Sequence, residues 1–295
     1  MSTEDSRKSV IGYTAAFSVM VIWATWLVAS RAGAQSPLTI YDHAVLRYGV
    51  SSIVALPIVL YYRPWRTMSW KRIAIVSFLL GPIYILAVFL AFQYAPAAHG
   101  GIFMNGALPA VTLFISWILF KQRVHKLQLL GVLLIIIGAT LAVIDAAELS
   151  LVDAWIGDGL FFISAVFFSA YLIAARVWNV TTTQVLFCSS VINAMLFVPI
   201  WFWFLPSGFA EASQSQFLIQ MLYQGLIPGL IGLLLVATAT RNIGPSSTAA
   251  FMAGVPALGS ILGVVLLNEM LGGLGWLSIL VLTPGILLVA FFSAK

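Results

Sequence analysis

Charge is scarce in this sequence. Only 8% of its 295 residues are Asp, Glu, Lys or Arg, against 62% hydrophobic residues. A soluble domain needs a charged surface, so this composition excludes water as the main solvent. Cysteine is almost absent: Cys188 stands alone, which excludes an internal disulfide and a cysteine metal cluster. His43, His99 and His125 are the only imidazoles, and none lies near a carboxylate in a metal-ligand spacing. The acids lie at the ends of apolar runs. An intramembrane enzyme needs a polar catalytic cluster, and this pattern offers none. No cofactor or metal is expected.

Long apolar runs are abundant instead. A helix needs roughly 20 apolar residues to cross the hydrocarbon core. Ten runs are near that length: 10–32, 38–62, 71–92, 96–120, 126–146, 155–178, 181–205, 217–239, 246–268 and 272–293. They are too long for barrel strands and do not alternate. The predicted fold class is all-α integral membrane, with ten transmembrane helices joined by short loops. The first run, Val10 to Ala29, is followed by further spans and reads as a transmembrane helix rather than a signal peptide.

The net charge of +5 is spread over short gaps between apolar runs. That reads as an orientation signal and not as a nucleic-acid patch. With the N-terminus cytoplasmic, twelve of the fourteen Lys and Arg fall on the inner face, leaving Arg31 and Arg47. Asp42, Asp145, Glu148, Asp153, Asp158, Glu211 and Glu269 then lie outside. Both termini are expected to be cytoplasmic.

An internal repeat runs at an offset of 147, from Gly12 to Gly159. Pro109-Ala110 maps to Pro256-Ala257, Gly138 to Gly285, Leu141 to Leu288, and Gly81-Pro82 to Pro228-Gly229. The division expected is 1–147 for the first five-helix repeat and 148–295 for the second. Five spans per repeat is odd, so the second half enters the membrane inverted, a frequent transporter architecture.

The whole chain resembles the drug/metabolite transporter superfamily in its EamA-like ten-helix form. The stretch from Trp23-Ala-Thr-Trp26 to Arg31 looks like that family's first helix. Leu46-Arg47-Tyr48 is similar to its second helix. Phe120-Lys121-Gln122-Arg123, with Gln128, Gly131 and Gly138, resembles the end of its fourth helix and its fifth. The family usually has Glu where this chain has Gln122, so no role for that carboxylate carries over; Glu269 stands at the equivalent place in the second half. The resemblance implies metabolite export across the inner membrane. Known members move amino acids, aromatic ones included, and cationic drugs.

Candidate pathway residues follow from depth and polarity. The breakers Gly81, Pro82, Pro228 and Gly229 fall roughly 16 Å into spans three and eight, near the midplane. Pro109 and Pro256 lie slightly past it in spans four and nine. Such interruptions mark either a central site or plain structural kinks. Asn105 and Gln224 each sit one turn before a proline. Each amide either bonds another helix or faces a water-filled cavity. Trp23, Trp26, Tyr84, Phe103, Tyr171 and Tyr223 would give flat apolar walls, or simply fill the bundle core. Arg47, about 9 Å inward of Tyr41, either attracts a solute carboxylate or ties to outer-face carbonyls or Asp42. His99 opens span four, as a cap or as a functional group, and Glu269 is a possible coupling residue.

The expectation is a carrier for a small polar or zwitterionic solute, with the bilayer as its other partner. Amino acids, aromatic or large neutral, are favoured, moved by alternating access around a midplane cavity. With no carboxylate in the middle of any span, facilitated uniport is expected and proton-coupled antiport is the alternative. A channel or lipid-handling protein is the other class to separate.

Overall fold

The computed structural model describes residues 3–292. Ten helices among them are long and apolar enough to cross a membrane. They are α1 (Lys8–Ala34), α2 (Ile40–Tyr62), α3 (Trp70–Tyr94), α4 (Ala97–Phe120), α5 (Lys126–Glu148), α6 (Ala154–Val177), α7 (Thr182–Phe204), α8 (Gln214–Gly244), α9 (Ser247–Leu267) and α10 (Gly273–Phe291). No strand occurs among the described residues. An even number of spans places both chain ends on one face, called here the terminal face.

Helix starts carry local signals. Thr39 with Asp42, His125 with Gln128, Thr181 with Gln184, and Ser213 with Gln216 form capping boxes. Each satisfies N–H groups that a helix leaves unpaired in its first turn. Thr39 and Thr181 open α2 and α7, which occupy the same place in the two halves. The end of α8 departs from the expected 239 and runs on to Gly244. There φ is +81°, a backbone state open to glycine and costly for other residues, and the chain turns directly into α9.

Several spans are broken. In α3 one helical stretch ends at Leu79 and another begins at Pro82. In α8 the stretch Gln214–Gly225 gives way to a π-helical segment, Ile227–Ile231, containing Pro228. Pro109 and Pro256 lie in the first turns of Leu108–Phe120 and Val255–Leu267. Further π-helical segments occupy Leu46–Val50 in α2, Gly100–Gly106 in α4 and Phe187–Ile192 in α7. The pair in α2 and α7 contains no proline, and a lone glycine, Gly49, lies in the first of them.

Small residues set the closest crossing. A Cβ on Gly131 of α5 would meet the Gly285 carbonyl of α10 at 2.7 Å, and one on Gly285 would meet the Gly131 carbonyl at 2.8 Å. Two glycines let these backbones touch, as packing in lipid requires. Trp26, Leu27, Tyr48, Phe89, Phe92 and Phe161 form the main buried cluster, joining α1, α2, α3 and α6. Leu133, Phe202 and Leu280 point outward, as expected where the surrounding solvent is hydrocarbon.

Candidate substrate pathway

Four carboxylates tie the loops and helix ends on the face opposite the termini. Glu269 Oε1 accepts from Arg31 Nε at 2.8 Å, and its Oε2 accepts from the Ala97 N–H at 2.9 Å. Arg31 also donates to the Phe92 carbonyl, so α1, α3, α4 and the α9–α10 loop meet at one ion pair. Glu269 is therefore engaged on both oxygens. Asp42 accepts from Trp201 Nε1 at 3.0 Å, the Gly208 N–H at 2.8 Å and Thr39. Asp145 accepts from the Gly272 N–H at 2.9 Å, joining α5 to α10.

The fourth tie changes the reading of two residues. Asp158, expected at an exposed outer end, is buried in α6, and its Oδ1 lies 2.6 Å from His99 Nδ1. The absence of a local His–carboxylate spacing did not exclude this pair, because 59 residues separate its members. Asp158 Oδ2 is buried with no hydrogen-bond partner. His99 also lies against Phe103, with ring centroids 5.7 Å apart.

In the interior, some candidates bond to the protein and others do not. Gln224 donates to Ser30 Oγ at 3.1 Å and Gln220 Oε1 at 2.9 Å, and accepts from Trp26 Nε1 at 2.8 Å. Gln220 in turn donates to the Ala29 carbonyl at 2.7 Å. Gln224 and Trp26 thus belong to a buried α1–α8 tie, the helix-to-helix alternative stated for the amide. Asn105 differs: it is half-buried in the α4 π segment, and its side chain has no hydrogen bond among the described residues. Trp23 and Tyr223 are partly buried against the main core. Tyr171 packs with Phe168 in a second cluster nearer the terminal face.

The α3 break is partly filled. The Leu80 carbonyl accepts from the Tyr48 hydroxyl at 3.1 Å and from Asn193 Nδ2 at 3.4 Å, and the Ser77 carbonyl accepts from Asn193 at 3.2 Å. Asn193 was not singled out from sequence; an amide inside the apolar run 181–205 is the hint, and it follows the α7 π segment directly. Arg47 lies nearby in α2, half-buried. It bonds neither Asp42 nor a carbonyl through its side chain. Gly229 has nothing near it where a Cβ would stand, so it is not a close-approach position. A groove of about 570 Å³ runs between α2, α7 and α8, lined by Leu46, Val50, Val198 and Phe217. Its walls are apolar, and it holds none of the candidate residues.

Ten apolar helices with paired interruptions and a partly polar interior define an integral membrane protein built as a carrier. The model of the EamA-like transporter family matches residues 10–144 and again residues 155–291, and the chain belongs to that family. A solved structure titled "Crystal structure of protein" is similar in fold, with TM-score 0.63 at 20% identity over 98% of this chain and 99% of that one. No curated protein matches this chain.

Proposed function

We propose that the protein exports small metabolites, preferentially amino acids with aromatic or large neutral side chains, by facilitated uniport through alternating access. It would work in the cytoplasmic membrane with both termini cytoplasmic. The observation that carries the reading is the contrast between the two regions. The side chains of Arg47, Tyr84, Asn105 and Trp23 have no hydrogen-bond partner among the described residues, and Tyr84 stacks on Phe168. The face opposite the termini is held by four acid-centred ties. A carrier closed on that face has this arrangement.

Proton antiport is the second reading, and one observation favours it. The buried His99–Asp158 pair has an unpartnered carboxylate oxygen that can take a proton. The test is efflux of L-phenylalanine from proteoliposomes with and without an imposed pH gradient. Uniport equilibrates the solute in both cases. Accumulation driven by the gradient and lost in His99→Ala would replace uniport by antiport, and no saturable efflux would overturn the transport reading.

A further inference from the structure

We propose that Arg47, the Tyr84 hydroxyl and the start of the second half of α3 at Gly81-Pro82 form a binding site for the carboxylate of the transported solute. This rests on the transport reading and names the group by which the solute is held.

A guanidinium inside a membrane span is costly unless an anion or acceptors surround it. The Arg47 side chain forms no ion pair and donates no hydrogen bond among the described residues. Asp42, the acid nearest in sequence, is taken by Trp201, Gly208 and Thr39. Arg47 precedes Tyr48, whose hydroxyl reaches the α3 break at Leu80, and Tyr84 stands in the first turn after that break. The Tyr48 hydroxyl is spent on the Leu80 carbonyl. The Tyr84 hydroxyl has no hydrogen bond among the described residues, although the residue is only 4% exposed.

The backbone adds a third positive element. Pro82–Tyr94 is a helix of 13 residues that begins inside the span. Its N-cap is Gly81, which has no side chain to cap the first turn. The positive end of that helix dipole therefore lies in the interior, three residues or fewer from Tyr84. Guanidinium, phenol and helix start supply donors and positive potential with no carboxylate among them. A planar carboxylate fits a guanidinium through two parallel hydrogen bonds. A phosphate dianion would leave one charge uncompensated by a single arginine.

The surroundings describe the rest of the solute. Tyr84 stacks on Phe168 at 5.9 Å and 26°, and Phe168 contacts Tyr171 at 5.5 Å. An apolar or aromatic body can lie along these rings.

The test uses the full chain, in detergent for binding and in proteoliposomes for efflux. The probes are L-phenylalanine and 3-phenylpropionate, which carry a carboxylate, and 2-phenylethylamine and L-phenylalanine amide, which do not. Thermal stabilisation against probe concentration should give saturable binding of the two carboxylates. Arg47→Gln should weaken it about 10- to 100-fold. Tyr84→Phe should weaken it about three- to tenfold, with Arg47→Lys lying between wild type and Arg47→Gln. Stabilisation by the two carboxylate-free probes should not change in any variant. Folded Arg47→Gln and Tyr84→Phe proteins that bind L-phenylalanine as wild type does would overturn the site. So would equal losses for carboxylate-free probes, equal stabilisation by chloride or phosphate, or no stabilisation by either carboxylate. If Arg47→Gln does not fold, Tyr84→Phe and Arg47→Lys decide by the same criteria. Efflux of L-phenylalanine untouched by these variants would remove the site and leave transport standing. Arg47-dependent binding without efflux would do the reverse.

Discussion

His99 Nδ1 in α4 lies 2.6 Å from Asp158 Oδ1 in α6, and both side chains are buried. The pair joins the first half of the chain to the second. Removing one partner strands the other in a poorly solvated place, at a cost of about 3–5 kcal/mol. Replacing both by apolar groups of similar volume removes the stranded charge as well. Asp158→Leu should therefore lower the thermal unfolding temperature sharply, and adding His99→Phe should recover most of the loss. Thermal unfolding of the single and double variants in detergent checks this; additive losses would mean the two side chains do not act as a unit.

Gln224 is held by Trp26, Ser30 and Gln220, which are themselves buried. Gln224→Leu leaves the Trp26 indole N–H without an acceptor, and an unsatisfied buried group costs about 1–3 kcal/mol. Stability should fall by that amount while the KM for transported solute changes little. A large KM change in a protein of unaltered stability would return Gln224 to the binding site.

Gly272 and Gly275 both press against the Asp145 carboxylate, and a Cβ on Gly272 would overlap its Oδ1. Gly272→Ala should push Asp145 away from the Gly272 N–H and loosen the α5–α10 contact. A loss of about 1–3 kcal/mol is expected from overpacking of this kind. Chemical or thermal unfolding reads it, and an unchanged midpoint would show that the loop yields at no cost.

Topology is open to direct labelling. Cys188 is buried, so a Cys188→Ala background leaves few routes for stray reaction. Ser150 and Thr67 are both exposed, on opposite faces of the bundle. Ser150→Cys should react with an impermeant maleimide added outside cells, and Thr67→Cys only after permeabilisation. The reverse pattern would invert the orientation drawn from the Lys and Arg distribution.

The sequence alone determined the ten spans, because burial in lipid is a local demand that each run of some twenty residues meets or fails by itself. It also marked where α3, α4, α8 and α9 are interrupted, since proline and glycine act on their own backbone. The π segments of α2 and α7 were not legible, because neither Leu46–Val50 nor Phe187–Ile192 contains a proline and Gly49 stands alone in the first. The pairings belong to the tertiary structure. Arg31 and Glu269 are 238 residues apart, Trp26 and Gln224 198 apart, and His99 and Asp158 59 apart. Each of those polar groups had the same need for a partner, and hydrophobic pattern says nothing about which distant helix supplies it. Packing decided that Gln224 would be spent on α1 and Asp158 on His99, and that Arg47 would find no acid among the described residues.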